Sequence, residues 1–248
     1  MKNKLLKLLF KYLIPLAFWL SLWQIAAMII DHSFLLPGIP ETLSALGKLL
    51  IKPSFYKVII LSAGRVIFGL LFGIVVGTSL ALLCNRFEII KHIFLPIIRI
   101  IKSTPVASFI VVLWVLMSGD ALSIFIGFLM VMPIIFQNVT DGLSSIDKGL
   151  LEVAQIFEFS RAKRFKLLTL PAIRNYLFPA IITASGLCWK AVIAAEIIAY
   201  TKQSIGQMIN DAKYNSDSPT IFAWTVVIIV LSIALEKIAE ILMRRDGK

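Results

Sequence analysis

Three charged residues stand inside otherwise apolar stretches of the chain: Arg65, Lys190 and Glu196. A charge near the centre of a bilayer costs about 2.5–3.5 kcal/mol, so each side chain should face protein or water. On one helix, Lys190 and Glu196 are separated by about 600° of rotation and cannot face each other. Arg65 and Glu196 lie at similar depths in their stretches, and we predict that they pair near the external side.

Lys190 lies deeper than Glu196 and has no evident partner in the sequence. One interpretation is that it lines a solute path and favours an anionic solute. The other is a structural pair or a contact with a helix end. Both interpretations stay open at this point.

The sequence contains few residues whose types and spacing could support catalysis, metal binding or phosphate binding. The two histidines, His32 and His92, fall in separate segments, and no group of carboxylates has metal-ligand spacing. The chain also lacks a Gly-x-x-x-x-Gly-Lys-Ser/Thr phosphate loop. We therefore predict no catalytic residue, no metal and no cofactor, and a membrane enzyme is disfavoured. Any energy from ATP must come from a partner chain.

The composition is that of a membrane protein. Of 248 residues, 59% are hydrophobic and 16% charged, against roughly 45–50% and 25% in soluble chains. A bilayer core requires about 20 apolar residues per helix. We predict an all-α integral membrane fold with one transmembrane domain over 1–248. Its six spans lie at about 12–30, 58–84, 94–118, 121–140, 176–200 and 218–240.

Basic residues indicate the orientation of these spans. Of 25 lysines and arginines, 18 fall on the side of the termini, 5 on the other side and 2 within spans. Because cationic loops resist translocation, both termini are predicted to be cytoplasmic. The net charge of +11 is thereby explained by topology and contact with anionic membrane lipid, and nucleic acid is not expected as a partner.

Small residues and prolines suggest how the spans are shaped. Gly69, Gly73 and Gly77 recur every four residues in the second span. Such a stripe lets another helix approach closely, so we predict helix packing, within the chain or across a dimer, in preference to a role in a pore. Pro96 and Pro105 are predicted to bend the third span and its approach.

The chain has one long cytoplasmic connection, predicted over 141–175. Connections of this length are usually functional. Its pattern favours two short helices with a turn near Phe159 and Ser160, and Ser160 suits the N-cap of the second helix. We therefore expect a cytoplasmic partner to bind here.

Part of this connection resembles the coupling motif of binding-protein-dependent ABC importer permeases. That motif reads Glu-Ala-Ala, three residues, Gly, nine residues, then Ile-x-Leu-Pro. Glu152 and Ala154 match, and Leu170 and Pro171 stand at the required distance. Glu158 occupies the position of the motif glycine, which usually supplies a positive φ or a close backbone approach. The resemblance implies that the ATPase contacts are Glu152, Ala154, Phe157, Glu158, Ser160, Arg161, Leu170 and Pro171.

Three further stretches, 35–40, 102–107 and 186–197, resemble the nitrate, sulfonate and taurine branch of that family, which includes bicarbonate permeases. The resemblance implies a type I ABC importer permease fold in the cytoplasmic (inner) membrane of a prokaryote. It also implies a second, identical permease copy, two cytoplasmic ABC ATPase subunits and an extracytoplasmic solute-binding protein. The implied solute is a small anion such as a sulfonate, a nitrate-like ion or a vitamin precursor. A coupling helix is expected at about 153–163.

The main alternative is a secondary transporter driven by an ion gradient. Such carriers typically contain internal repeats and helices broken at mid-membrane. No convincing repeat relates residues 1–120 to residues 121–248. A gradient-driven carrier would also leave the long cytoplasmic connection unexplained.

Overall fold

A computed structural model describes residues 2–245, with side chains from Phe10 to Met243 except Tyr12. The predicted cytoplasmic Lys248 lies outside the described residues, and so do the side chains of Lys2, Lys4, Lys7, Arg244 and Arg245. Every regular element in the described part is helical, which confirms the all-α prediction. In order, the elements are α1 (Lys2–Ile30), α2 (Ile39–Leu50), α3 (Pro53–Arg86), α4 (Glu88–Ser103), α5 (Val106–Trp114), α6 (Gly119–Ser144), α7 (Lys148–Ile156), α8 (Arg161–Arg164), a π turn (Phe165–Thr169), α9 (Leu170–Ile198), α10 (Ile205–Tyr214) and α11 (Ser218–Arg245).

The chain forms two compact units, and the first comprises Met1–Val58 and Met208–Ile229. Within it, α1 is joined to the start of α2 by hydrogen bonds. Trp23 Nε1 donates to the Pro37 carbonyl at 3.0 Å, and the Ile39 amide donates to Gln24 Oε1 at 2.8 Å. Phe55 packs on Trp224, with 5.1 Å between ring centroids. Aromatic packing and these hydrogen bonds hold the unit together.

The second unit comprises Ile59–Gln207 and Val230–Lys248, and its core is the packing of α6 against α9. The glycine stripe of α3 lies directly on α6. A Cβ on Gly69 would stand 2.9 Å from the Ile124 carbonyl oxygen, and one on Gly73 would stand 2.6 Å from Val131 Cβ. At the crossing of α3, α6 and α9, Gly127 lies against Gly69 and Cys188. Backbone-to-backbone packing of this kind requires residues without side chains.

Within the part of the chain that the structure describes, four helical segments are long and apolar enough to span a membrane: Leu13–Ile30, Pro53–Arg86, Gly119–Ser144 and Arg161–Ile198. The pair α4 and α5 makes a fifth if the two helices count as one span. The predicted span 218–240 lies within α11. The total of six spans and the cytoplasmic placement of both termini stay predictions.

The predicted third span is not a straight helix. α4 runs through Pro96 without interruption, and the chain turns by 104° between α4 and α5. The turn lies at Thr104 and Pro105, where the backbone is extended. A proline disfavours helical backbone in the residue before it, so the break lies at Pro105, one of the two prolines that the sequence singled out.

The connection predicted as 141–175 is largely helical. α6 continues to Ser144, α7 and α8 follow, and a π turn leads into α9. The stretch expected to hold the coupling helix, about 153–163, contains the end of α7, a turn and the start of α8, which agrees with the two short helices predicted there. Pro171 removes the amide that would bond to the Leu167 carbonyl, and the helix widens to a π turn just before it.

Candidate functional site

The segment from α7 to α8 is a short helix, a tight turn and a second helix start. Asp147 caps α7 by accepting from the Gly149 amide at 2.6 Å. Ser160 caps α8, with its hydroxyl accepting from the Lys163 amide at 3.3 Å, as the sequence predicted. Two apolar side chains at the end of α7 point to solvent, Ile156 at 76% and Phe157 at 70% exposed. Because this segment is predicted to lie outside the membrane, two adjacent exposed apolar side chains can form part of a binding surface.

Glu158 completes the turn between these helices in a left-handed conformation. Its φ is +48°. The Phe159 amide donates to the Ala154 carbonyl at 2.9 Å, and the Glu158 amide donates to the Gln155 carbonyl at 3.1 Å. These two bonds define a Schellman motif, whose left-handed position is usually glycine. The chain therefore keeps the backbone shape that the motif glycine allows, although glutamate occupies the position.

The other predicted contact residues divide between two places. Glu152, Ser160 and Arg161 are exposed on the α7–α8 segment, whereas Ala154 is buried. Leu170 and Pro171 lie beyond the π turn, at the start of α9, where both line an open cavity of about 590 Å³. The two halves of the motif thus belong to separate surface features.

Arg65 and Glu196 form the predicted ion pair. Arg65 Nη1 lies 2.8 Å from Glu196 Oε1, and both side chains are buried. The second oxygen of Glu196 accepts from the Ser62 hydroxyl at 2.9 Å and from the Gly206 amide at 3.3 Å. A buried charge is tolerated when it is paired and fully hydrogen-bonded, as this carboxylate is.

Arg65 makes further contacts that the sequence did not indicate. Its guanidinium also binds Asp120, with Nη2 2.7 Å from Oδ1, and donates to the backbone carbonyls of Lys202 and Gln203. Asp120 lies in the first turn of α6, 55 residues after Arg65 in the chain. Its distance from Arg65 in the chain gave no sign of pairing, because the contact depends on how α3 packs against α6.

This cluster joins α3, α6, α9 and the start of α10. A Cβ on Gly206 would stand 2.4 Å from the Glu196 carbonyl carbon, so only glycine allows the approach. Because the charges of Arg65 and Glu196 are buried and paired with protein groups, the cluster is suited to holding helices together. Arg65 and Glu196 are not available to a passing solute in this arrangement.

Lys190 is separate from that cluster. It is exposed and lines a cleft of about 520 Å³ together with Lys102 and Thr104. The remaining walls are apolar, and none of the described residues lining the cleft is acidic. An apolar cleft with two cations and a hydroxyl can bind a small anion. A lysine facing lipid at this depth would be costly, so the cleft is expected to face water or protein.

Comparison with known proteins places the chain in a family. Residues 69–245 match the family described as binding-protein-dependent transport system inner membrane component. The chain is 25% identical to the nitrate import permease protein NrtB of Synechococcus elongatus, over 87% of this chain and 80% of that protein. It is 30% identical to the bicarbonate transport system permease protein CmpB of Synechocystis, over 61% of this chain and 54% of that protein.

The fold resembles a crystal structure of a bacterial ABC transporter involved in the import of the acidic polysaccharide alginate. The TM-score is 0.67 at 17% sequence identity, with 100% of this chain and 98% of that chain covered. The resemblance confirms the predicted type I importer permease fold. Together with the family match over most of the chain, these findings show that it is a multi-pass membrane permease subunit and not an enzyme. The chain belongs to the inner membrane components of binding-protein-dependent ABC transport systems.

Proposed function

We propose that this permease imports a small anion and is driven by a separate ATPase that binds the α7–α8 segment. The observation that carries the coupling proposal is the Schellman turn at Glu158, which holds Phe157 and Ile156 on an exposed surface. A rigid turn can transmit a push or pull from a bound partner to α9, because α8, the π turn and α9 form one continuous helical segment.

The partner set follows from the family. A cytoplasmic ATPase would supply the energy, and an extracytoplasmic binding protein would deliver the solute. A second, identical permease copy would complete the solute path. Two ATPase subunits would bind this pair of permeases from the cytoplasm. The cationic cleft supports this arrangement, because a second copy would separate Lys190 from lipid. The gradient-driven carrier is no longer favoured, since the family match assigns the chain to systems with a separate ATPase.

The coupling proposal is tested by co-purification with the cognate ATPase in mild detergent. We expect wild type to co-elute with ATPase activity. Glu152→Ala and Phe157→Ala should each weaken association, by about tenfold for Phe157 if it fills a pocket as an interface anchor. Phe87→Ala is the matched control, because Phe87 is also exposed but lies outside the segment. Equal loss in the control variant, or no association of wild type with any nucleotide, would contradict the proposal.

The solute proposal rests on the cleft that contains Lys102 and Lys190. The two named relatives transport nitrate and bicarbonate, both small anions, and the cleft offers two cations without a lining carboxylate. Hydrogen bonds to charged groups contribute about 1.5–3 kcal/mol. One such contact from Lys190 would strengthen solute binding at least tenfold.

Uptake by reconstituted transporter tests this role of Lys190. Lys190→Met should raise the half-saturating concentration of nitrate, bicarbonate or a sulfonate by about tenfold, and Lys190→Arg should restore part of it. Lys237→Met serves as the control, because Lys237 forms an exposed pair with Glu240 away from the cleft. Unchanged affinity and rate in Lys190→Met would leave Lys190 with a structural role only.

A further inference from the structure

The open cavity at the start of α9 combines cations with an apolar wall. It is lined by Lys166, Leu170, Pro171, Arg174, Asn175 and Phe178, and its volume is about 590 Å³. Two lining residues are cationic, one carries an amide and three are apolar. None of the described lining residues is acidic, so the positive charges are not neutralised from within the cavity.

One nitrogen of the Arg174 guanidinium has no hydrogen-bond acceptor in the part of the chain that the structure describes. Its guanidinium stacks over the Phe178 ring, with 4.8 Å from Cζ to the ring centroid. The Nη2 atom is buried, and no described residue accepts a hydrogen bond from it. Buried donors nearly always have an acceptor, and a charged donor more so. This nitrogen therefore lacks an acceptor among the described residues, while Arg174 lines the cavity.

The π turn helps place Lys166 beside Arg174. In a regular helix the two positions, eight residues apart, would be offset by about 80° around the axis. Lys166 lies within the wider π turn at Phe165–Thr169, which reduces that offset, and both residues line the same cavity. π turns often occur at functional sites for this reason, since they re-aim side chains without ending the helix.

The backbone beneath the cavity is firmly held. Ile173 is buried at 4% exposure, and the start of α9 lies directly on α6 at Gly142. A Cβ on Gly142 would stand 3.0 Å from Ile173 Cα. Arg174 is thus mounted on the α6–α9 core and not on a flexible loop, so its orientation toward the cavity is preorganised.

We propose that this cavity binds the phosphate group of an anionic phospholipid, with Arg174 and Lys166 on the phosphate and an acyl chain along Phe178. A planar guanidinium matches phosphate oxygens in pairs. The apolar run that begins after Asn175 places the cavity at the membrane boundary. Basic pockets at helix ends on the cytoplasmic side are suited to lipid headgroups. A lipid fits the apolar wall better than a free anion does.

The test measures lipid binding to the purified permease alone, so it does not depend on the ATPase or on the solute. Wild type in detergent is titrated with phosphatidylglycerol and, separately, with phosphatidylcholine, and bound lipid is counted by native mass spectrometry. We expect phosphatidylglycerol to bind preferentially. Arg174→Gln should weaken it about fivefold, and Lys166→Gln should have a similar effect. Arg99→Gln removes the same charge from exposed α4 and should change nothing.

Several results would overturn the proposal. Equal binding of the two lipids by wild type would remove the charge preference, and an unchanged preference in both cavity variants would place the site elsewhere. If inorganic phosphate at equal concentration displaced the lipid, the occupant would be a free anion. Should Arg174→Gln fail to fold, as judged by gel filtration and Tm, Lys166→Gln carries the same test.

Discussion

Glu158 occupies a backbone conformation that costs most residues free energy. A left-handed φ brings Cβ close to the backbone, and holding a residue other than glycine there costs about 1 kcal/mol or more. The side chain of Glu158 is exposed, and the hydrogen bonds of the turn involve only its backbone. Its carboxylate is therefore free to serve a purpose other than stabilising the turn, such as contact with a basic group of the ATPase.

Glycine at this position should strengthen the turn. Glu158→Gly is expected to stabilise it by about 0.5–1 kcal/mol, because the strain is removed while the hydrogen bonds remain. Hydrogen exchange of the Phe159 amide should slow by about twofold to fivefold, the ratio that corresponds to this free energy. Glu158→Ala keeps the strain and removes the charge, so its exchange rate should match that of wild type. Similar exchange in the glycine and alanine variants would contradict the strain argument.

The two variants also separate shape from charge in partner binding. If the carboxylate contacts the ATPase, both substitutions should weaken association, although only glycine relieves the strain. If the turn alone matters, Glu158→Gly should bind at least as well as wild type. The measurement is the co-purification assay described for Phe157→Ala.

The packing of α3 on α6 depends on an absence of side chains. Gly69 and Gly73 lie on the face of α3 that contacts α6, whereas a Cβ on Gly64 in the same helix would meet no atom within 4 Å. Helix association in lipid relies on close van der Waals contact, because lipid provides little hydrophobic drive. The glycine stripe is therefore required for the packing of α3 against α6 and not for the local conformation of α3.

Adding one methyl group to α3 should have opposite effects at two glycines. Gly73→Ala is expected to destabilise the protein by about 1–3 kcal/mol, because the new Cβ would lie 2.6 Å from Val131 Cβ. Gly64→Ala should be neutral or stabilising by up to about 1 kcal/mol, since alanine favours helix. Thermal unfolding in detergent, followed by tryptophan fluorescence, measures both. A similar loss of Tm at both positions would mean that close packing at Gly73 is not the cause.

At the scale of the molecule, orientation in the membrane is still a prediction from basic residues. Ser145→Cys should be protected from an impermeant thiol reagent in intact cells and labelled after permeabilisation. Ser54→Cys, on the predicted external side, should be labelled in both conditions. Cys84 and Cys188 are buried and give a low background. The reverse labelling pattern would invert the topology and place the α7–α8 segment outside.

Local features were predictable because their signals are short-range. The Ser160 cap, the turn at Phe159 and the glycine spacing of α3 each depend on a few neighbouring residues. The Arg65–Glu196 pair was predictable for a different reason: few charges lie at that depth, so few partners were available. The break at Pro105 was only partly anticipated, because a proline can either bend a helix or end it, and Pro105 ends the helical backbone between α4 and α5 whereas Pro96 lies inside α4.

The sequence alone was enough to predict the class of molecule, the permease family and the segment that should contact an ATPase. Hydropathy, charge bias and motif spacing are properties of the linear chain, so they can be read without the fold. The tertiary structure determines which charged side chains are paired with other protein groups and which are exposed. The Arg65–Glu196 pair receives further hydrogen bonds and charge contacts from Asp120, Ser62 and Gly206. Lys190 and Lys102 line one cleft. Arg174 lines a cavity and has one nitrogen without a hydrogen-bond acceptor among the described residues. These outcomes depend on which helix faces meet, and the meeting of faces is set by packing between segments far apart in the chain.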